Sequence, residues 1–327
     1  MDISGVHVFA DADDYALAVG IVPARFVVTA PGRFWAHMAR LVLPHLDLLV
    51  LTESQPRTAY IALAPERLHV TYSLRLNTPM FCSGVGLQRD DIWFHSCHDR
   101  FHQRVSGPAH WGLVSLDPIH FAAAVQALTG RSLTVPKIGG LFRPPHARVK
   151  RLFRLHGAAA RFGEQKSKLV LNPEVARAIE HDLIECLISC LVPDHEFGDL
   201  GFWRHRTEVL GCLEAFLEAN PARAAPTDEL ATVLGISQRT LHSYCADCLG
   251  VSPGRYLRLR RLKLVRQALL SAPPNPTIVA AVARDYGFLE AGRFAATYQA
   301  AFGELPSATL YRAQARQTGA GFDESQG

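Results

Sequence analysis

Two groups of residues in this chain could do chemistry by their type and spacing. The segment DIWFHSCHDRFH brings His95, Cys97, His98 and His102 close together in sequence, and imidazole and thiolate are common ligands of borderline divalent cations. On an extended strand, however, side chains alternate in direction, so His95 and Cys97 face away from His98 and His102. No further carboxylate follows at a familiar ligand spacing, so the expectation is no metal and no cofactor. The second group lies between Ile236 and Leu270, where Arg239, Arg255, Arg258, Arg260, Arg261, Lys263 and Arg266 stand against a single acid, Asp247. Guanidinium groups bind phosphate oxygens, and in a duplex major groove they reach guanine O6 and N7 with two hydrogen bonds. Cys245 and Cys248 form a CxxC in the same stretch, but with Cys245 at a core position, which makes a redox or zinc role the weaker reading.

The second group needs helices to aim it. A helical pattern from about Arg204 to Ala219 stops at Asn220-Pro221, after which Thr227 is placed to cap TDELATVLG. Gly235 closes that helix and Ser237 opens SQRTLHSYCADCLG, so two short helices are joined by a tight turn, the layout of a helix-turn-helix. In that layout the N-terminal part of the second helix reads base edges. Leu241 and Cys245 face inward, leaving Ser237, Gln238, Arg239, Thr240, His242 and Ser243 for DNA. After a long helix, SPGRYLRLRRLKLVRQALL, the pattern recurs about fifty residues later as PTIVAAVARDYGF, Glu290 and AGRFAATYQAAFGELPS. In the second unit Glu290, Arg293, Thr297 and Gln299 are the candidate contacts, while Ala291, Gly292, Ala295 and Ala296 leave few base-edge hydrogen bonds to that face. Arg258, Arg261 and Lys263 on the connecting helix are candidate phosphate contacts.

Upstream the pattern changes. Between Leu46 and Leu116 the segments LDLLVLTES, RTAYIALAP, RLHVTYSLRL, MFCSGVGL, DIWFHSC and HWGLVSL are short, β-branched or aromatic, and separated by turn residues. They predict six or seven antiparallel strands in a small, cupin-like barrel or sandwich. Trp93, Phe94 and Trp111 read as core, and no effector site follows from them. Asp117 is placed to cap a helix from Pro118, and the chain then reads as helical to about residue 192. The acid-free basic run from Arg143 to Arg161 reads as a solvated helix face. Val175, Ile179, Leu183, Leu187 and Leu191 form one stripe that is either core or a homodimer seam over 172–191.

The expected architecture is α+β. Residues 1–200 form a sensor or dimerisation domain, β-rich over 25–116 and helical over 117–192; residues 201–316 form an all-α domain with two helix-turn-helix units; residues 317–327 form a disordered tail. Hydrophobic residues at 48% and charged residues at 20% suit a globular chain, and no apolar run is long enough to cross a bilayer. Acidic residues at the start of the chain and seven scattered cysteines argue for a reduced, cytoplasmic setting. A net charge of +4 is too small to imply a polyanion partner by itself, so the local distribution must carry that argument.

Residues Val209 to Arg312 resemble the DNA-binding domain of the AraC/XylS regulators, through ELATVLGISQRTL, GVSPGRYLRLRRL and YGFLEAGRFAATYQAAFGELPS. GRFAATYQAAFGELPSATL is further similar to the branch containing the ethanolamine-operon regulators. The resemblance implies a transcription regulator rather than an enzyme, with two readers on one face of double-stranded DNA. It also implies control by a small-molecule effector through the N-terminal domain, and RNA polymerase as a partner if the protein is an activator. The alternatives are a cupin-like metal-dependent enzyme tethered to DNA and a non-specific architectural DNA binder.

Overall fold

The computed structural model describes residues 4–21, 25–63, 66–75, 78–97, 99–132, 139–165, 172–191, 201–273 and 275–319. The strands are β1 (Gly5–Phe9), β2 (Phe26–Val28), β3 (Ala36–Val42), β4 (Leu46–Glu53), β5 (Arg57–Ala62), β6 (Leu68–Ser73), β7 (Met80–Cys82), β8 (Val85–Gly86), β9 (Ile92–His95), β10 (Arg100–Val105), β11 (Ala109–Leu116) and β12 (Gly140–Phe142). They form a seven-stranded sheet in the order β1-β3-β4-β11-β6-β9-β12 and a five-stranded sheet in the order β2-β5-β10-β7-β8. Strands therefore extend beyond the expected interval at both ends. β12 falls in the segment expected to be helical; its three residues, paired with β9, are too few to show a period. MFCSGVGL is a hairpin of β7 and β8 rather than one strand, turned by Ser83 and Gly84 at φ 48° and 79°.

The central strands bury both faces, which is why they read as nearly continuous apolar runs. Leu46 and Leu48 of β4, Leu68, Val70 and Tyr72 of β6, Ile92 and Phe94 of β9, and Val114 and Leu116 of β11 pack under a helical layer. Leu49, Leu51, Trp93 and Trp111, on the opposite face, meet Phe26, Ala59, Met80, Cys82 and Phe101 from the smaller sheet. Trp93, Phe94 and Trp111 are thus core.

The helical layer consists of α2 (Pro118–Thr129), α3 (His146–Gln165) and α4 (Pro173–Leu191), while α1 (Ala12–Val19) lies near the start of the chain. Asp117 caps α2 as expected, its Oδ1 accepting from the His120 amide at 2.8 Å. Arg148, Lys150, Arg151 and Arg154 are exposed on α3, as a solvated face requires, with Val149 and Leu152 buried beneath them. On α4 the stripe is core rather than seam. Leu183, Leu187 and Leu191 are buried in the chain's own interior, with Ile179 half-buried against it, while Arg177, His181 and Asp182 face outward.

Two polar groups inside the sandwich are fully engaged. Arg57 donates to both carboxylate oxygens of Glu53, at 2.9 and 3.1 Å, and Tyr15 and Trp111 also donate to Glu53. A buried ion pair survives only when its remaining hydrogen-bonding capacity is filled in this way. His156 Nε2 lies 3.1 Å from the Leu49 carbonyl, so it donates there, and Nδ1 accepts from the Tyr72 hydroxyl. Those contacts specify a neutral imidazole.

The C-terminal part is all helical: α5 (Gly201–Ala219), α6 (Thr227–Val233), α7 (Gln238–Leu249), α8 (Pro253–Ser271), α9 (Pro276–Asp285), α10 (Ala291–Phe302) and α11 (Pro306–Gly319). α11 continues through Gly319, so residues 317–319 are helix rather than tail, and the rest of the expected tail lies outside the described residues. One core gathers α5 to α7 and the start of α8 around Leu213, Leu241 and Tyr256; another gathers the end of α8 and α9 to α11 around Val265, Phe294 and Tyr298. No helix among the described residues is long and apolar enough to cross a membrane.

Burial pushes His156 down to about 3 and His69 down to about 4, and holds His95 well below the ordinary imidazole value. The unfolded chain therefore binds protons that the folded chain refuses, so stability is full above about pH 6.5 and is lost as pH falls below it toward the folded values. Urea unfolding should show a clear loss of stability between about pH 7 and about pH 5, ahead of carboxylate protonation. A flat or opposite trend would contradict the neutral assignment.

Candidate nucleic-acid interface

The two helix-turn-helix units share one backbone solution. After α6, Gly235 at φ 67° donates to Thr232 O and Ile236 donates back to Ala231 O. After α9, Gly287 at φ 78° donates to Arg284 O and Phe288 to Ala283 O. A left-handed residue at each turn closes one helix and launches the next, a conformation that favours glycine. α6 has Pro226 rather than Thr227 at its N-cap and no side-chain cap; Thr227 is the first helical residue. Ser237 caps α7 as expected, its Oγ accepting from the Thr240 amide at 3.0 Å.

On α7, Leu241 and Cys245 are fully buried, and Cys248 is buried beside them. Gln238, Arg239, His242 and Ser243 are exposed, and Thr240 is half-buried. Ser237 and Thr240 share a hydroxyl contact of 2.8 Å, so both are partly committed to the cap. The exposed donors left are Gln238, Arg239, His242 and Ser243.

The second unit presents less. Arg293 is exposed and pairs with Glu290 at 3.2 Å. The Thr297 hydroxyl donates to the Arg293 carbonyl one turn back, which ties it to its own helix. The alanines and glycine at 291, 292, 295 and 296 line an exposed to half-exposed face, as expected.

The basic stretch is distributed differently from a continuous DNA-facing field. Arg258 is exposed and Arg239 points outward from α7; neither has an ion pair among the described residues. The other five basic residues are held by the protein. Arg260 is buried and pairs with Glu214, which also accepts from the Tyr256 hydroxyl at 2.6 Å and lies 3.0 Å from His102 Nε2. Lys263, also expected at phosphate, is instead buried against Asp13 at 2.5 Å and donates to the Phe26 carbonyl. Arg266 binds Asp11 at 2.5 Å and Asp13 at 3.4 Å. Arg255 donates to Thr29 O at 2.8 Å. Arg261, expected at phosphate, is half-buried; it donates to the Tyr286 carbonyl at 3.2 Å and lies over the Phe288 ring, which fastens α8 to the turn of the second unit.

These contacts dock the helical part onto the sandwich. Arg104 of β10 adds a donation to the Asp247 carbonyl on α7 at 3.2 Å, and Arg206 pairs with the Asp247 carboxylate. Desolvation alone would raise the Glu214 carboxyl; the hydrogen bond and charge of His102, with the charge of Arg260, outweigh it and hold the pKa down at about 2. Asp11 is likewise held at about 2, burial being outweighed by Arg266. Burial lowers the Lys263 ammonium, and Asp13 opposes that shift.

Sequence reasoning missed this interface because its partners are far apart along the chain. The available signal was an acid-rich start, Asp11, Asp13 and Asp14, matching a base-rich helix with almost no acids of its own. The His95 to His102 segment forms no convergent metal set among the described residues. His95 bonds Thr71 and stacks on Phe101, His102 meets Glu214, Cys97 lies near the Arg67 carbonyl, and His98 lies outside the described residues.

Comparison with known proteins follows this geometry. Residues 230–312 match the model of a helix-turn-helix domain. A XylDLEGF operon transcriptional activator of Pseudomonas putida is 41% identical over 95 residues, covering 29% of this chain and 60% of that protein. A probable thc operon regulatory protein of Rhodococcus erythropolis is 36% identical over 147 residues, covering 43% of each chain. The chain thus matches less than two thirds of the length of either relative. Among solved structures, the AraC-like transcriptional activator CuxR superposes with a TM-score of 0.41 at 12% identity, over 79% of this chain and 93% of that one. ToxT from Vibrio cholerae gives a TM-score of 0.29 at 11% identity, over 82% and 97%.

Replacing Glu214 with alanine should leave Arg260 buried without its counter-charge and cost about 3–5 kcal/mol in urea unfolding. A loss no greater than that of an exposed pair, about 0–1 kcal/mol, would contradict the central role given to this carboxylate. Residues 230–312 of this chain match a helix-turn-helix domain, in a region similar to operon transcriptional activators.

Proposed function

We propose that the protein is a sequence-specific, DNA-binding transcription regulator of the AraC/XylS kind and not an enzyme. The observation that carries this reading is the exposed N-terminal half of α7, where Gln238, Arg239, His242 and Ser243 project beyond a buried Leu241 and Cys245. Its support is the repeat of the same turn geometry before α10 and the identity to operon activators over this region. In this reading α7 supplies most direct base readout, with Arg239 gripping a guanine. Glu290, Arg293 and Thr297 at the start of α10 supply position and shape contacts, together with Ser237 and Thr240. Arg258 neutralises phosphate, whereas Arg261 acts from within the protein.

Residues 1–200 are read as the sensor and residues 201–316 as the DNA-binding unit, working in the cytoplasm. Two of the solved neighbours are ToxT bound to an unsaturated fatty acid and to a naphthalenyl butenoic acid. A small-molecule effector acting on the sandwich of this chain is part of the proposal. Its action would pass through the contacts of Lys263 and Arg266 with Asp13 and Asp11, and of Glu214 with His102, which restrict how the two readers can be placed. Homodimerisation would have to use a surface other than the buried stripe of α4, and contact with RNA polymerase follows if the protein activates. The likeness of residues 292–310 to ethanolamine-operon regulators supports placement in that branch and carries no ligand identity.

Arg239→Ala should weaken binding to the preferred duplex by about 1–3 kcal/mol and relax preference at one base pair, with little loss on random duplex. Arg258→Ala should reduce the salt slope on any duplex by about 0.9, the value for one phosphate contact, whereas Lys263→Met should leave that slope unchanged. Equal losses on preferred and random DNA for Arg239→Ala, or a slope change for Lys263→Met, would sink these assignments.

A further inference from the structure

Three side chains distant in sequence meet on the face of the sandwich away from the helix-turn-helix contacts. His45 lies in the turn between β3 and β4, His120 in the first turn of α2, and Glu180 in the middle of α4. One donor atom from each lies within 4.8 Å of the other two, the one such group of three among the described residues. The His45 and His120 rings stack with centroids 4.0 Å apart, and His120 Nε2 is 3.8 Å from Glu180 Oε1.

The carboxylate is the unusual member. Glu180 is 4% exposed, yet among the described residues neither a lysine nor an arginine pairs with it. Its other oxygen accepts only the His45 backbone amide, at 2.7 Å. A buried carboxylate needs a counter-charge as well as hydrogen bonds. Two imidazoles converge on this one, and His120 keeps the group open to solvent at 41% side-chain exposure.

We propose that His45, His120 and Glu180 form a binding site for a borderline divalent cation of the zinc type, with water completing the coordination on the exposed side. Two imidazole nitrogens and one carboxylate oxygen are a recognised donor set for such an ion, and three protein ligands plus water make an open site. Bonds of about 2.0–2.2 Å require donors about 3.3 Å apart. The group must therefore contract, and the rings must open from parallel, which the exposed His120 side chain has room to do. The ion supplies the positive charge that Glu180 lacks and ties the β3–β4 turn to α2 and α4. The sequence reading of no metal ligands missed it because positions 45, 120 and 180 share no motif spacing.

The test uses full-length protein stripped with a chelator, then titrated with Zn²⁺ against a chromophoric competitor and, separately, with Co²⁺ read in the visible. The wild type should take one equivalent of Zn²⁺ that His120→Ala and Glu180→Gln each weaken by more than about 100-fold, beyond the loss expected for an outer-sphere partner. Its Co²⁺ spectrum should show d–d bands without a thiolate charge-transfer band. His120→Ala changes an exposed side chain, so it decides the matter even if Glu180→Gln melts early. Equal Zn²⁺ binding by wild type and His120→Ala, no binding by the wild type, or a thiolate band on the only bound equivalent would overturn the proposal.

Discussion

A carboxylate taken out of water must be paired, and Glu214 is the point where this requirement joins the molecule together. It sits on α5, accepts from Tyr256 and Arg260 of α8, and meets His102 of the sandwich. Removing any of these partners would leave a buried charge or donor uncompensated, so the helical part, its connecting helix and the smaller sheet share one electrostatic constraint. Asp11 and Asp13 extend the same principle one and two turns further along α8, through Lys263 and Arg266. The placement of α8 relative to the sandwich is therefore set by charge pairs along its middle turns, from Arg260 to Arg266.

This constraint changes what the basic stretch means. A helix with six cations and no acids looks like a polyanion ligand by composition. In the folded chain Arg260, Lys263 and Arg266 face inward and are neutralised by the protein itself, and Arg255 and Arg261 are spent on backbone carbonyls. Arg258 and, on α7, Arg239 remain outward. Under the proposed function, this layout relies on few, well-placed contacts rather than a broad positive field, which favours discrimination between sequences over general attraction to DNA. The same contacts link the two parts mechanically: whatever shifts Asp11, Asp13 or His102 acts on α8, the helix that connects the two helix-turn-helix units.

Much of this was legible in the sequence where the signal is local. The turn glycines 235 and 287, the Ser237 cap, the inward Leu241 and Cys245, the Asp117 cap and the short apolar runs of the central strands all follow from residue type and short spacing. The split of α4 between core and seam was open because an apolar stripe specifies burial without naming its partner; the sheet and α3 supply that partner within the chain. The surroundings of Arg261 were open for a related reason, since a helical cation reads the same whether it meets phosphate or, as here, a backbone carbonyl. The docking pairs and the His45, His120 and Glu180 group were not legible, because each joins residues that only the tertiary fold brings together.

The most direct test of the central claim is selection of bound sequences from a random duplex pool by the full-length protein at physiological salt. The expected result is enrichment of a motif with two short blocks about one helical turn apart, the distance at which two major-groove readers on one face repeat. The block read by α7 should be the stronger and contain a guanine that tolerates no replacement. Recovery of the pool without enrichment, under conditions where the protein still binds duplex DNA, would contradict sequence-specific reading by these helices.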